Sequence, residues 1–117
     1  MNIENTLPDW VKEFSGAVTV ADTNGVIIYM NDLAANTWKD RGGLDLIGKN
    51  LSECHKGASM EKIAEIISSK TVNAYTIEKK GLKKLIYQAP WIVNNITCGI
   101  VELSLIIPFD MPHFIRT

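Results

Sequence analysis

The chain has 117 residues, 46% hydrophobic and 21% charged, which fits one globular domain with a core of its own. Its 12 basic and 13 acidic side chains give a formal net charge of −1, so nothing in the charge attracts a polyanion and we expect no nucleic-acid partner. The chain starts without a signal peptide, and no apolar run approaches the ~18 residues of a membrane span, so we expect a cytoplasmic protein with no membrane contact.

The N-terminal segment predicts a short amphipathic helix at residues 8–15. Pro8 suits the first turn of a helix. Trp10, Val11 and Phe14 would then share one apolar stripe, which would pack against the rest of the domain.

A β-hairpin follows, with strands predicted at residues 17–22 and 26–30, because both runs are rich in β-branched residues. Between them, the side chain of Asp22 can bond the backbone of its own turn, and Gly25 can adopt a positive φ. We therefore predict a structural role in the turn for both residues.

Two helices are predicted in the middle of the chain. Asn31 follows the second strand directly and is a suitable N-cap for a helix at residues 32–39. The second helix, at residues 60–70, has Ile63, Ile66 and Ile67 at the i, i+3, i+4 spacing of a buried stripe. The segment between the helices predicts irregular structure with short helical turns.

Three further strands are predicted at residues 71–79, 84–93 and 98–107. Pro90 in the middle of a run favours an edge position or a bulge. The economical packing of these elements is an α+β domain with a five-stranded antiparallel sheet and its helices on one face.

The last three strands carry apolar side chains in both alternating sets, whereas a sheet with one wet face would show a cleaner polar set. Both faces of the sheet are therefore expected to be covered. The N-terminal helix would cover part of one face and a second copy of the chain the rest. We predict a homodimer with Trp10, Phe14 and Trp91 at its interface.

Cys54 and His55 are the most suggestive neighbours for chemistry. They could bind a soft metal, or His55 could ligate haem iron, whereas a zinc site would need further ligands that have no suitable spacing here. The alternative is a loop histidine bonded to backbone and a cysteine packed as a small hydrophobe. A Cys-His nucleophile would need a third, orienting group, which the sequence does not offer, so we predict no enzyme.

Three stretches together resemble a PAS (Per-ARNT-Sim) sensor domain: "VADTNGVIIYMNDLAANTW", "LIGKNLSE" and "APWIVNNITCGIVEL". The resemblance covers about residues 15–107. It implies a sheet in the order 2-1-5-4-3 whose helices enclose a cavity. The loop "CHKGASMEKI" is similar to that of a bacterial subgroup with a Cys-His-x-x-x-Ser loop, although Glu61 stands where that subgroup often has a second histidine.

On this resemblance, the chain divides into an N-terminal cap (1–16), a sensor domain (17–108) and a C-terminal tail (109–117). The resemblance implies a domain that senses or binds a small molecule, dimerises and signals to a partner protein in trans. The cofactor is open, and haem held by His55 is the alternative. The aromatic side chains among the predicted pocket residues could line the cavity or simply belong to the core. The predicted pocket residues are Tyr29, Asn36, Trp38, His55, Met60, Ile63, Ile67, Tyr87 and Gln88.

Overall fold

The computed structural model describes residues 3–54 and 60–117. Its strands are β1 (Ala17–Asp22), β2 (Ile27–Met30), β3 (Asn73–Lys79), β4 (Leu82–Val93) and β5 (Ile96–Ile107). Its α-helices are α1 (Asp32–Thr37), α2 (Leu51–Cys54) and α3 (Met60–Ser69). Short 3-10 turns lie at Ile3–Thr6, Asp9–Val11, Lys39–Arg41 and Gly43–Leu46. None of the helices in these two ranges is long and apolar enough to cross a membrane.

The strands form one antiparallel sheet in the order β2-β1-β5-β4-β3. The predicted α+β class and strand order are therefore confirmed. Helices α1 and α3 pack on one side of the sheet, which we call the inner face, and the opposite side is the outer face. Helices α1 and α3 therefore cover part of the inner face.

The first hairpin forms as its turn chemistry predicts. Asp22 Oδ1 accepts hydrogen bonds from the backbone N–H of Asn24 at 2.9 Å and of Val26 at 3.0 Å. Gly25 has φ +82°, a left-handed conformation that favours glycine. The turn thus fixes where β1 and β2 meet and directs the chain towards α1.

Asn31 caps α1, as predicted, and its buried side chain also reaches the N-terminal segment. Its Oδ1 accepts from the N–H of Ala34 at 3.0 Å and of Val18 at 2.9 Å. Its Nδ2 donates to the carbonyls of Val11 at 3.1 Å and Gly16 at 2.8 Å. One side chain therefore joins the start of α1, the start of β1 and the segment that precedes β1.

The predicted helix at residues 8–15 is wrong: only the 3-10 turn Asp9–Val11 forms there. A helix of eight residues is marginal without tertiary support, and here the tertiary bonds compete with it. The carbonyl of Val11 accepts from Asn31, and that of Lys12 accepts from the N–H of Asp32 at 3.0 Å. These carbonyls hold the segment in a non-helical path, and the predicted apolar stripe does not form.

Two apolar clusters lie on the two faces of the sheet. The inner cluster is shared by strands, α1 and α3, and consists of Ala17, Ala21, Ile27, Met30, Ala34, Leu46, Leu51, Ile63, Ile66 and Ile100. The outer cluster consists of Ile3, Val11, Val18, Val20 and Tyr29. The N-terminal segment therefore covers part of the outer face with Ile3 and Val11, whereas Trp10 and Phe14 stay exposed.

Pro90 meets both conditions that the sequence suggested. The pairing of β3 with β4 ends at Asn73 and Gln88, so Pro90 lies beyond the last rung of β3 and has only β5 beside it. The register of β4 on β5 shifts just after it, between Trp91 and Ile92. The missing N–H of proline therefore costs no hydrogen bond to β3.

Candidate functional site

A ladder of polar side chains crosses the inner face of the sheet. Asn73 on β3 pairs with Gln88 on β4, which pairs with Glu102 on β5. Ile100 on β5 belongs to the inner cluster, and its register partner on β4 is Pro90. Glu102 and Gln88 each lie two residues from this pair on their own strands, and residues two apart on a strand point to the same face. The side chains of Asn73, Gln88 and Glu102 therefore all lie on the inner face. We call these three residues the polar ladder.

Hydrogen bonds link the polar ladder end to end. Asn73 Nδ2 donates to Gln88 Oε1 at 2.8 Å, and Gln88 Nε2 donates to Glu102 Oε2 at 2.8 Å. An ionised carboxylate can only accept hydrogen bonds. Glu102 therefore fixes the orientation of the Gln88 amide, which in turn fixes that of Asn73.

The polar ladder runs from an open to a closed region of the inner face. Gln88 is 1% exposed and Glu102 6% exposed, whereas Asn73 on the edge strand β3 is half-buried. Beside Asn73, Tyr75 and Ile77 are half-buried as well. The polar ladder is therefore partly accessible at its β3 end and closed to solvent at Gln88 and Glu102.

The closed end of the polar ladder lies among mainly apolar groups. Thr19 on β1 is the register partner of Glu102 and is buried on the same face. Ile86 on β4 and Ile100 on β5 flank the ladder and are nearly inaccessible. In such surroundings, the charge of Glu102 acts through a lower effective dielectric constant than it would in water.

Tyr75 reports on this environment. Burial raises the pKa of its phenol above 10.0, and the nearby Glu102 carboxylate raises that pKa further. Both causes disfavour a second negative charge on this part of the inner face.

The open end of the inner face has cationic side chains. Lys79 Nζ lies 5.6 Å from the centroid of the Trp38 ring, at the end of α1. Burial lowers the pKa of Lys84, and repulsion from Lys79 and Lys80 lowers it further. The face therefore changes from positive at this end to negative at Glu102.

The structure brings four of the predicted pocket residues to the inner side. Ile63 and Gln88 are buried there, and Trp38 and Ile67 pack against the inner cluster. Met60 begins α3 and is 45% exposed.

The other predicted pocket residues lie elsewhere. Tyr29 belongs to the outer cluster, and Tyr87 is exposed on β4, where its pairing with Leu103 assigns it to the outer face. Asn36 is exposed on α1 and lines a surface groove with Phe14. His55, the predicted metal ligand, lies outside the described residues, and Cys54 is the last residue of α2.

The predicted interface residues lie on the outer side of the domain. Trp10 and Phe14 pack edge to face, with ring centroids 5.3 Å apart and an interplanar angle of 74°. Trp91 is half-buried against the outer cluster. The three are available to a second copy, and the homodimer stays a prediction.

A second concave surface lies between the N-terminal segment and α1. This groove has a volume of about 480 Å³, and charged side chains including Asp9, Lys12 and Asp32 line it. Lys12 Nζ lies 3.0 Å from Asp32 Oδ2, and the hydrogen bond to that carboxylate raises the pKa of Lys12. This exposed groove has the character of an ordinary hydrated surface, so we do not place the site there.

Within residues 3–54 and 60–117, no group of three or more His, Cys, Asp or Glu side chains could hold a metal ion. Cys98 is a free thiol on β5. The residues of the polar ladder other than Gln88 were missed by sequence reasoning. Asn73 and Glu102 are 29 positions apart in the chain, and only the strand register shows that both of them bond Gln88. A search for polar residues at paired inner positions would have found them.

No protein-family model and no curated protein matches the chain. Solved structures do match its fold. VqmA of Vibrio cholerae has 13% sequence identity and a TM-score of 0.67, over 92% of this chain and 52% of VqmA. Another structure similar to the chain is VqmA bound to DPO. The chain thus spans about half the length of the VqmA chains it matches.

Two further matches are with sensor proteins. The Aer2 receptor of Vibrio cholerae, a dual PAS-heme oxygen sensor, has 17% identity and a TM-score of 0.60 over 80% of this chain and 95% of that one. The PAS domain of nitrogen regulation protein NR(II) of Vibrio parahaemolyticus has 14% identity and a TM-score of 0.60 over 84% of this chain and 94% of that one. The chain therefore has a PAS-like fold, as the sequence resemblance indicated.

These matches correct one prediction from the sequence. Net charge led us to exclude a nucleic-acid partner, and that exclusion is wrong. VqmA is described as a dimer in the absence of its target DNA and as a ligand–DNA complex, so a receptor with a domain of this fold can act on DNA. The charge of a sensor domain describes only its own surface, whereas DNA contacts can come from other parts of a receptor.

Proposed function

We propose that the chain is a small-molecule-sensing PAS-like signalling domain whose ligand binds on the inner face beside the polar ladder. The single observation that carries this proposal is the buried hydrogen-bonded series from Asn73 through Gln88 to Glu102. Small-molecule sites combine a mostly apolar lining with a few convergent polar groups, which describes the inner face around this ladder. We expect binding rather than catalysis, and the cytoplasm is the proposed location because the free thiol of Cys98 is stable there.

A purely structural role explains the polar ladder less well. Buried polar groups must be desolvated, and apolar residues of similar size often stabilise a core equally well or better. Here a carboxylate and an amide occupy positions between Ile86 and Ile100, where aliphatic side chains would fit. A site that recognises polar groups of a guest accounts for them.

The proposed signal passes from the inner face to the outer face. A ligand that contacts α1 or α3 would shift the balance between two arrangements of the helices, provided that it binds one arrangement more tightly. Asn31 connects α1 to the N-terminal segment through Val11 and Gly16. Since that segment covers part of the outer face, a change at α1 would reach the proposed homodimer interface and, through it, a signalling partner.

Haem binding with His55 as the iron ligand is the second candidate, favoured by the likeness to the PAS-heme sensor Aer2. Haem would be held there by one imidazole and would supply a reversible site for a gas or an electron. The described part of the inner face fits a porphyrin less well than a polar guest. A wide, apolar macrocycle beside Gln88 and Glu102 would bury these polar side chains against a surface that cannot form hydrogen bonds with them.

Native mass spectrometry of protein purified from its host tests the proposal, because it reports retained ligand and subunit number together. We expect a non-covalent small-molecule adduct that disappears on denaturation. Gln88→Leu should lose the adduct, because it breaks both links of the polar ladder. Thr76→Val, on an exposed position of β3, is the matched control and should retain it.

A wild-type protein without an adduct, or a Gln88→Leu variant that keeps it, would count against the inner-face site. An absorption spectrum of the same sample distinguishes the two candidates. A Soret band that His55→Ala abolishes would favour haem, and a colourless protein after haem reconstitution removes that alternative.

A further inference from the structure

We propose that the free edge of β3 binds an extended segment of a partner protein as a sixth, antiparallel strand, and that this segment is acidic at the end beside Lys79. The inference goes beyond the proposed function, since it assigns a docking surface for a partner and does not depend on the inner-face ligand. It is carried by the uncovered backbone of β3 and by the charges at the hairpin between β3 and β4.

The two edges of the sheet differ in how they are covered. At the β2 edge, Ile27 donates to the carbonyl of Lys49 at 2.9 Å and accepts from the N–H of Gly48 at 2.8 Å. At the opposite edge lies β3, and within residues 3–54 and 60–117 only β4 forms backbone hydrogen bonds with it. An uncovered edge presents a row of unpaired N–H and C=O groups onto which another strand can pair.

The hairpin geometry shows which residues of β3 have their backbone groups on the free edge. Lys80 and Gly81 have positive φ values of 53° and 78°, and Lys79 pairs with Leu82, which defines a two-residue turn. The residues that flank such a turn form a hydrogen-bonded pair, and hydrogen-bonded pairs alternate with non-hydrogen-bonded pairs along the strands. The residues whose two backbone groups point away from β4 are therefore Ala74, Thr76 and Glu78.

β3 lacks most of the features that usually protect a sheet edge. Protected edges are very short or carry prolines, bulges or charges that prevent another strand from pairing. β3 has seven residues without proline or glycine, and its register with β4 has no bulge. Its charged side chains, Glu78 and Lys79, both lie at the hairpin end, so the stretch from residue 73 to 77 is neutral. This stretch is a suitable template for an added strand.

The charges at the hairpin favour an acidic partner on the inner side. On the outer face, Lys83 has Glu78 as its register partner, so opposite charges already face each other. On the inner face, the register partners of Lys84 are Ile77 and Ile106, and neither carries a carboxylate. The inner side of the hairpin therefore has an excess of positive charge, which an acidic side chain on the added strand would balance.

The neighbouring cations strengthen this preference. Burial lowers the pKa of Lys84, and repulsion from Lys79 and Lys80 lowers it further. An acidic residue beside Lys79 would reduce that repulsion. Since Lys79 is the last residue of β3, the acidic residue belongs at the N-terminal end of an antiparallel segment. The following inner-side positions of the segment lie beside Ile77 and Tyr75, which are half-buried, so apolar residues suit them.

The probe is a synthetic six-residue peptide, capped at both ends, that begins with glutamate and continues with threonine and valine in alternation. In the proposed register its glutamate lies beside Lys79, its valines lie on the inner side, and its threonines direct their N–H groups towards β3. Amide chemical shifts of the full chain are followed by two-dimensional NMR during titration. We expect the amides of residues 73–79 to shift most, with a Kd of about 1 mM, since one short strand binds weakly.

Thr76→Pro removes a backbone donor of the free edge but no hydrogen bond to β4, so it should abolish these shifts. Thr76→Ala changes the same side chain and keeps the N–H, so it should bind the peptide as wild type does. The dispersion of the amide spectrum shows whether each variant is folded.

Two modified peptides make the same comparison on wild-type protein, so the test does not depend on the folding of a variant. N-methylation of the central threonine removes an N–H that faces β3 and should abolish binding. N-methylation of a valine removes an N–H that faces solvent and should leave the binding in place. Glutamine in place of the peptide's glutamate should weaken binding about twofold to fivefold, the range of an exposed ion pair.

The docking edge would be overturned if the peptide does not shift the amides of β3, or if Thr76→Pro or the N-methylthreonine peptide binds as tightly as the unmodified pair. Equal binding of the glutamine peptide would overturn the acidic preference. Shifts of the β3 amides with rising protein concentration, without peptide, would assign the edge to a second copy and overturn the partner segment. The adduct expected in native mass spectrometry does not depend on any of these results, so the proposed ligand site keeps its own test.

Discussion

The side-chain oxygen of Asn31 lies 2.9 Å from the backbone nitrogen of Val18, from which it accepts a hydrogen bond. The same oxygen caps α1, and the amide nitrogen of Asn31 holds the N-terminal segment by two carbonyls. A residue predicted as a simple N-cap thus connects the helix over the inner face with the cover of the outer face. The proposed signal transfer between the two faces would depend on this connection.

Replacing Asn31 by alanine should lower the free energy of unfolding by about 2–4 kcal/mol, because it removes a cap and leaves buried backbone donors unsatisfied. Urea unfolding measures this loss. Asn36→Ala is the control, since Asn36 is exposed on the same helix, and it should change stability by no more than about 0.5 kcal/mol. Equal losses in the two variants would contradict the role assigned to Asn31.

Gln88→Glu should destabilise the protein at pH 7 and recover in acid. A second carboxylate beside Glu102 would have its folded-state pKa raised well above the ~4.3 of an unfolded glutamate. A pKa that is two units higher in the folded state destabilises the variant by about 3 kcal/mol at pH values above the raised pKa. This destabilisation disappears as the pH falls towards ~4.3. Below that pH, the protonated group can donate to Glu102 as Gln88 Nε2 does at 2.8 Å.

Unfolding curves of Gln88→Glu and wild type at several pH values measure this recovery. Thr76→Glu adds the same charge at an exposed position of β3 and should show no comparable recovery. A stability gap for Gln88→Glu that stays constant between neutral and acid pH would refute the predicted coupling.

The fold could be predicted from local patterns because its strands alternate and its turns use residues with specific backbone preferences. Asp22, Gly25 and Asn31 each act within a few residues of their own position, which is why their roles were correctly predicted. The N-terminal helix failed because its carbonyls bond Asn31 and Asp32, about 20 residues away. No periodicity within the segment encodes those partners.

The candidate site could be predicted only in part, for the same reason. Gln88 was selected as a polar residue in an apolar strand, but its partners are set by the register of β3 and β5 on β4. Tyr29 and Tyr87 were selected by residue type, and their side chains belong to the outer face because a strand alternates with period two. Which face each tyrosine occupies depends on the register of its strand in the sheet, and residue type alone does not indicate that register.

Tyr75 should ionise above pH 10, and Glu102→Gln should lower its pKa part of the way back. Burial is the larger cause of the raised pKa and remains in the variant, whereas the repulsion from Glu102 disappears. The ultraviolet absorbance of tyrosinate measures the titration, and Tyr75→Phe identifies the contribution of this residue. Because the unfolded phenol ionises first, the stability that neutral Tyr75 contributes is present below about pH 10 and is lost above it. An unchanged pKa in Glu102→Gln would contradict their proximity.

Gly99→Ala should cost about 2–3 kcal/mol of stability, as overpacking of a tight backbone contact does. A Cβ at Gly99 would overlap the carbonyl oxygen of Ala21 on the neighbouring β1, and neither backbone can move without disturbing the pairing. Gly16→Ala is the matched control. Its Cβ would meet the side-chain ends of Leu105 and Phe14, which can rotate away, so we expect a loss of about 1 kcal/mol or less. Thermal or urea unfolding compares the two, and similar losses would argue against a backbone clash at Gly99.

The homodimer prediction can be tested at the exposed aromatic pair on the outer side. Trp10 is 63% exposed and Phe14 40% exposed, and burying such a pair against a second copy would remove a large apolar area from water. Light scattering at micromolar concentration should give twice the chain mass of 13.0 kDa. Trp10→Ser should weaken the dimer about 30-fold or more, the effect of losing one central aromatic contact. Phe114→Ser removes an aromatic that is 70% exposed in the C-terminal tail and should leave the mass unchanged; a monomeric wild type would rule out the predicted interface.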